Sequence, residues 1–516
     1  AGVAAGAVAL GVAQLSAALV GPEASPVVAV GNAAVDLTPA PVKDFAIATF
    51  GENDKTVLIA GVLVVLTGFA AVIGVLARRR AVYAYAGPAL LGAVGVAAVL
   101  TRPGAEPLDA LPAIVGALAG AWTLAWLIRR AAGTRPQPVP AEEEPGGVER
   151  PVVMRAGEDL RAFDRRRLLT GVAGGVVVAG GAAVLGRMLS GRQAVDAARG
   201  GLALPAPATP AKPLPAGVDL GINGLSPFVT KNRDFYRVDT ALIVPQVDPA
   251  AWRLRVHGMV DRPIELTYAD LLKRPLTEAD VTLTCVSNEV GGPYAGNARW
   301  LGVRMADVLR EAGLQPGADM LLSTSDDGFT CGTPVDVIMD GRDALFAVAM
   351  NGEVLPVDHG FPVRQVVPGL YGYVSATKWV VDVKVTRFDR DEAYWTPRGW
   401  AAKAPIKTQS RIDVPRSGAS LPAGPTAIAG VAWAQHTGID AVEVRVDRGE
   451  WRQARLAQVP GPDTWRQWAL DWNATPGRHT IEVRATDAAG RTQPEQQAPT
   501  APDGATGWHS VTVDVT

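Results

Sequence analysis

The run Val57–Leu76 constrains the chain most, because Thr67 carries its only polar side chain. About 20 apolar residues are enough to cross a bilayer, and inside lipid a helix is the way for one segment to satisfy its own backbone. Val82–Leu100, Leu111–Ile128 and Leu168–Leu189 are further candidate spans. Gly2–Val20 is a weaker one, interrupted by Gln14 and Ser16, with the apolar core of a signal peptide as its competing reading. Five transmembrane helices are therefore expected within residues 1–190. Their flanks give an orientation. Arg78–Arg80 close the second span, Arg129 and Arg130 close the fourth, and Arg165–Arg167 open the fifth. The positive-inside rule puts these clusters in the cytoplasm and everything after about residue 190 on the extracytoplasmic side of the cell membrane.

Asp164-Arg165-Arg166-Arg167-Leu168-Leu169 also has the form of a twin-arginine export signal, a route that carries folded, cofactor-loaded proteins. Ordinary positive-inside anchoring explains the same residues. All five histidines lie at 257 or later, so a bis-His haem has no ligands among the spans. The span centres lack ionisable residues, which leaves anchoring or docking as their expected role. Ala131–Arg161 is rich in Pro, Glu and Arg and reads as a flexible cytoplasmic loop.

At 516 residues the chain exceeds one compact core. Its net charge of −2 gives no reason to expect nucleic acid. Two cysteines, and no Cys-x-x-Cys-His, leave no ligand set for an iron–sulfur cluster or an attached c-type haem.

One of those cysteines ends Val281-Thr282-Leu283-Thr284-Cys285, which alternates as a strand and runs into the polar loop Val286-Ser287-Asn288-Glu289. A thiolate there is a soft ligand for a transition metal. A buried apolar thiol and a Cys285–Cys331 disulfide are the competing readings.

The organisation around it is multi-domain. An Ala/Pro-rich linker covers 191–218. Residues 219–415 mix short strands (Trp252–His257, Leu321–Thr324, Ala347–Met350, Val363–Val367) with brief helices (Tyr268–Lys273, Met305–Ala312), giving an α+β domain. In 416–516, Ala441–Val446, Trp465–Trp472, His479–Thr486 and His509–Val515 alternate with period two between short turns, as in an immunoglobulin-like β-sandwich.

Several motifs then occur in order: Phe235–Pro245, Thr284–Asn288, Met350-Asn351-Gly352-Glu353-Val354-Leu355-Pro356, and Asp358-His359-Gly360-Phe361-Pro362-Val363-Arg364. The last continues through Val366-Val367-Pro368-Gly369 to Lys378-Trp379. Over about residues 225–516 this resembles the sulfite oxidase family of molybdopterin enzymes. The resemblance implies one molybdenum held by one molybdopterin and by Cys285. It implies cofactor contacts from Asn232, Phe235, Tyr236, Thr324, His359, Arg364, Ser375, Thr377 and Lys378. It also implies a dimerisation role for the C-terminal domain, so a homodimer is among the expected partners.

Departures from the family bear on the substrate. Sulfite oxidases place arginines just after the ligand cysteine, whereas Glu289 here would repel an oxyanion. The family's active-site tyrosine falls at Phe329, within Ser325-Asp326-Asp327-Gly328-Phe329, and a substrate arginine falls near Gly438, with His436 close by. Cys285, Glu289, Phe329 and Asp326 are therefore the candidate catalytic residues. Lys403 and Lys407 are candidate steering charges, or simply a solvated loop. The expected protein is a membrane-anchored oxidoreductase that moves an oxygen atom to or from a small oxyanion, sulfoxide or similar substrate. With no haem or iron–sulfur cluster expected in the chain, electrons would pass to or from a separate carrier. A sulfoxide or N-oxide reductase, and a cofactor-free membrane scaffold, are the alternatives.

Overall fold

The computed structural model describes residues 1–21, 24–38, 54–102, 105–131 and 192–516, together with Val42 and Thr49. The twin-arginine-like sequence at 164–169, the expected span Leu168–Leu189 and nearly all of the 131–161 loop lie outside the described residues. The chain divides into two compact units, Ala1–Gln193 and Ala194–Thr516.

In the first unit four described helices are long and apolar enough to cross a membrane: Gly2–Val20, Val57–Arg79, Tyr83–Leu100 and Pro107–Arg130. Small residues let them approach closely. A Cβ on Gly116 would sit 2.8 Å from the Ala13 methyl, and one on Gly120 would sit 2.9 Å from that of Ala9. Arg78–Arg79 and Arg129–Arg130 fall in the last turns of their helices, where cations meet the unpaired carbonyls. A further helix, Pro26–Leu37, was not expected from the sequence. At about 1.5 Å per residue it is too short to span a bilayer, so a span-length search passes over it. Just before it, the buried Ser25 donates from Oγ to Gln14 Oε1 at 3.1 Å, which gives the interrupting polar residue of Gly2–Val20 a partner inside the bundle.

The second unit contains four sheets. β1 (Arg253–Gly258), β2 (Ile264–Thr267), β5 (Met320–Ser325), β6 (Thr330–Pro334) and β10 (Val380–Thr386) pair in the order β2-β1-β10-β5-β6, with β1 and β10 parallel. β3 (Leu276–Thr284), β4 (Ala295–Arg304), β7 (Leu345–Met350) and β8 (Glu353–Val354) form an antiparallel sheet in the order β3-β4-β7-β8, and β9 (Arg364–Val366) pairs with β7. Every residue of β7 is buried, which explains its unbroken apolar run Leu-Phe-Ala-Val-Ala-Met. The two expected helices form. Tyr268–Leu272 starts with a capping box between Thr267 and Asp270, and Met305–Ala312 buries Met305, Val308, Leu309 and Ala312 before stopping at Gly313.

The C-terminal region is β-rich. β11 (Gln409–Val414), β13 (Gly424–Trp433), β16 (Arg455–Leu456) and β17 (Arg466–Ala474) form one sheet. β12 (Ser420–Leu421), β14 (Ile439–Val446), β15 (Arg452–Gln453), β18 (Gly477–Asp487) and β19 (His509–Val515) form the other. Ile428, Trp468 and Leu470 from the first sheet share one core with Val442, Val483 and Val513 from the second. β3 lies at the edge of its own sheet, and its free side is covered from two directions. Thr209, in the Ala/Pro-rich stretch, exchanges backbone hydrogen bonds with Leu276 and Glu278, and Asp463 of the C-terminal region accepts one from Thr282 N at 2.9 Å.

Candidate active site

Cys285 is the first residue beyond β3. Its amide donates to the Tyr294 carbonyl at 3.0 Å, so it sits at the closed neck of the β3–β4 loop. Both Cys285 and Cys331 are buried free thiols, so the structure does not form the disulfide considered above. Burial raises the Cys285 pKa, and hydrogen bonds from the Ser287 amide and hydroxyl partly offset the rise. Glu289, further along the loop, has an exposed side chain.

Three tyrosines surround this neck. Tyr236 is stacked on Phe235 at 5.2 Å and lies 6.3 Å from Tyr294, centroid to centroid. Its hydroxyl is held un-ionised chiefly by burial and then by the charge Cys285 would carry, with Arg364 opposing. Tyr371 is pushed up to about 12, mainly by burial, with contributions from Asp503 and Cys285.

The segment from Pro356 to Trp379 supplies the polar groups. His359 is buried, its Nε2 lies 2.8 Å from the Asn232 carbonyl, and its ring meets Phe235 edge-on. A carbonyl only accepts, so the proton sits on Nε2 and Nδ1 is left as an acceptor. Burial, helped by the nearby charges of Arg364 and Lys378, lowers its pKa to about 4, so the ring is neutral. Gly360 follows with φ 111, and a Cβ there would lie 3.0 Å from Arg364 Cβ and 3.1 Å from Lys378 Cα. Only glycine lets His359, Arg364 and Lys378 converge this closely.

Arg364 is only 5% exposed. It donates to the His359 carbonyl at 3.1 Å and lies over the Trp300 ring at 4.9 Å, and no carboxylate pairs with it among the described residues. Burial lowers its pKa to about 10, which still leaves it charged. Lys378, by contrast, has a partner: Nζ donates to Asp239 at 2.6 Å and to the Asp358 carbonyl at 3.4 Å. Burial nevertheless brings it down to about 8, against the attraction of Asp239.

Ser375 is satisfied by the carbonyls of Leu370 and Tyr371. Ser323 Oγ and Ser325 Oγ are buried without hydrogen-bond partners among the described residues, and the Thr377 hydroxyl lies beside the Cys331 thiol. Ser323 and Ser325 share one face of β5, and Ser323 pairs across the sheet with Cys331 of β6, whose thiol donates to the Tyr373 carbonyl at 3.0 Å. Thr324 lies between them in sequence and so projects from the other face. Asn232 spans two elements: it accepts from Asn351 Nδ2 at 2.8 Å and donates to the Met350 carbonyl at 3.3 Å.

The structure thus brings Phe235, Tyr236, His359 and Arg364 together with Cys285, and joins Asn232 and Lys378 to the same segment. Phe329 and Asp326 sit on the β5–β6 turn. Phe329 packs on Tyr394 at 5.7 Å, and the Asp326 amide donates to the Trp379 carbonyl at 2.9 Å, next to Lys378. His436 contacts Asp463 at 3.1 Å, Lys407 pairs with Asp503, and Lys403 lies over Phe388 at 5.1 Å. Sequence reasoning passed over Tyr371, Trp300 and Asp239. Tyr371 lies inside the Pro368–Lys378 run and Asp239 inside the Phe235–Pro245 run that carried the resemblance; Trp300 is recognised only through long-range contacts.

The family model for the oxidoreductase molybdopterin binding domain matches residues 241–395. The chain is 31% identical over 321 residues to the sulfite oxidase of Gallus gallus, covering 53% of this chain and 69% of that protein. It is 31% identical over 323 residues to the mitochondrial sulfite oxidase of Mus musculus, covering 53% of this chain and 58% of that one. Among solved structures, the sulfane dehydrogenase SoxCD from Paracoccus pantotrophus matches with a TM-score of 0.43 and 27% identity, over 49% of this chain and 71% of that one. The chain belongs to the sulfite oxidase family of molybdopterin-binding oxidoreductases. It spans between 58% and 69% of the two curated relatives named.

Proposed function

We propose that the protein is a membrane-anchored, extracytoplasmic molybdenum enzyme that transfers an oxygen atom to or from a small substrate, with Cys285 as the protein ligand of the metal. The observation that carries this reading is Arg364, a charged guanidinium buried to 5% exposure without a carboxylate among the described residues. Such a charge is costly unless an anion completes the site. Molybdopterin brings a phosphate and a polar pterin, and the unpartnered hydroxyls of Ser323 and Ser325 are further groups awaiting hydrogen bonds. The residues present therefore fit the cofactor.

When bound, molybdenum–molybdopterin supplies two-electron oxygen-atom transfer. The chain's own residues bind and orient. Arg364 offers a planar fork to an anionic or carbonyl acceptor, and Lys378 adds a second cation held in place by Asp239. Neutral His359 would offer Nδ1 as an acceptor to a donor on the cofactor. Asn232, Phe235 and Tyr236, grouped with His359, would line the cofactor on that side, with Ser375 fixing the backbone beside Thr377. Thr324, Glu289, Asp326 and Phe329 remain candidates for the periphery of the pocket. A thiolate at Cys285 tunes the metal. Tyr236 and Tyr371 beside it offer neutral hydroxyls, since burial keeps both un-ionised.

One observation favours a second reading of the reaction. Val286-Ser287-Asn288-Glu289 places no arginine after the cysteine, and Glu289 is exposed at the loop, which disfavours sulfite and favours a neutral sulfoxide or N-oxide as oxygen donor. The two shared-core sheets of the C-terminal region support an immunoglobulin-like sandwich of the dimerisation type. The four apolar helices, their arginine-tipped ends and the twin-arginine-like sequence support anchoring with the catalytic part outside. A separate carrier then exchanges electrons with the site. The loaded enzyme should either reduce a dye in the presence of sulfite or oxidise a reduced viologen in the presence of a sulfoxide. If both assays fail across small oxyanions, sulfoxides and N-oxides, the oxygen-transfer proposal is wrong.

A further inference from the structure

We infer that Gln435 is a positioning residue for Cys285, so that the C-terminal β-rich region sets the geometry of the metal ligand; this rests on Cys285 being that ligand. Gln435 follows the end of β13 and is only 4% exposed. Its Nε2 reaches across to β3 and donates to the Thr282 carbonyl at 3.1 Å and to Thr284 Oγ1 at 2.9 Å. Thr284 is the residue immediately before Cys285. The Thr282 carbonyl only accepts, so the amide group is oriented with its nitrogen toward β3.

The same strand end is held by two more bonds from the C-terminal region: Thr282 N to the Asp463 carbonyl at 2.9 Å, and Trp465 N to Thr282 Oγ1 at 2.7 Å. On the far side of the loop, Arg411 donates to the Gly292 carbonyl at 2.9 Å, itself braced by Asp413 and Ser226. The ring of His509 packs against Gly291, where a Cβ would come within 2.2 Å of its Cδ2. Between these two grips the loop is closed by Cys285 N on Tyr294 O and by Tyr294 N on Asn288 Oδ1 at 2.7 Å.

Packing alone does not call for an amide here. Gln435 Oε1 is buried with no hydrogen-bond partner among the described residues, so what the amide contributes here is its two Nε2 bonds to β3. A polar residue kept at such a cost, bonded beside a metal-ligating thiolate, matches the outer-shell groups that orient ligands at metal sites.

The test uses the full chain produced in a cofactor-competent host, with Gln435→Leu and Thr284→Val as single and combined variants. Thr284→Val keeps the shape and removes the hydroxyl that accepts from Gln435, so it decides the matter if Gln435→Leu fails to fold. Each single variant should lose molybdenum 10–100-fold faster than the wild type on dialysis, about the penalty known for outer-shell changes, and should shift the visible thiolate-to-metal absorption band. The double variant should be little worse than either single one. Wild-type metal retention with an unshifted band, even alongside a lower melting temperature, would reduce Gln435 to a packing role and overturn the inference. Cys285→Ala is the separate control: unchanged metal and band in that variant would overturn the ligand assignment instead.

Discussion

Arg364 and His359 show how a single side chain reports on what a site is built to hold. Arg364 is buried against Trp300 without a carboxylate among the described residues, so its charge is a burden on the cofactor-free protein. Arg364→Met should therefore abolish cofactor retention while leaving the melting temperature of cofactor-free protein unchanged or higher. A clear fall in that temperature would mean that Arg364 serves the core. His359 is held at about 4 against an ordinary 6.5. Because the folded-state value is lowered, the unfolded chain takes up the proton first. The stabilisation is present above about pH 6.5 and is lost as the pH falls toward about 4. At about 1.4 kcal/mol per pH unit the loss approaches ~3 kcal/mol. In cofactor-free protein, urea titrations at pH 7 and pH 4 should show the wild type losing about that much more than His359→Gln, which keeps the bond to Asn232. Cys285, His359 and Arg364 were legible in the sequence because an ordered motif surrounds each of them. Tyr371 and Gln435 were not, since what marks them is a contact made across the fold.

Elements place these residues, and two glycines separate turn chemistry from site chemistry. Gly352 closes the β7–β8 hairpin with φ 79 and open space around it, after Asn351 at φ 52. Gly360 has φ 111 and crowding from Arg364 and Lys378 as well. Gly352→Ala should cost about 1 kcal/mol in a urea titration, and Gly360→Ala more, about 2–4 kcal/mol, with loss of bound cofactor. Equal costs would show that convergence on Gly360 is not what fixes the site. Strand and helix positions were largely legible: Met305–Ala312 and His509–Val515 coincide with the periodicity, and β5 and β7 extend the expected runs by one or two residues. The Pro26–Leu37 helix was hidden by its length. Thr324 illustrates a subtler limit, because strand pleating turns it away from Ser323 and Ser325, and a one-residue offset in a motif changes which face a side chain occupies.

At the scale of the molecule, the two compact units explain why composition is so uneven along the chain. Residues from 194 onward carry their own cores, whereas Val64, Phe69, Leu90 and Trp122 of the first unit are exposed apolar side chains that suit lipid. A fragment starting at Ala194 should remain in aqueous buffer without detergent, and the full chain should require it; extraction of the full chain by high-pH carbonate alone would contradict membrane anchoring. The central claim, that Cys285 holds molybdenum in a pocket completed by Arg364, is tested most directly by elemental analysis of purified protein from a cofactor-competent host. The expected result is about one molybdenum per chain in the wild type and none in Cys285→Ala that is otherwise folded. Wild-type protein free of molybdenum, or a Cys285→Ala variant that retains it in full, would contradict the account.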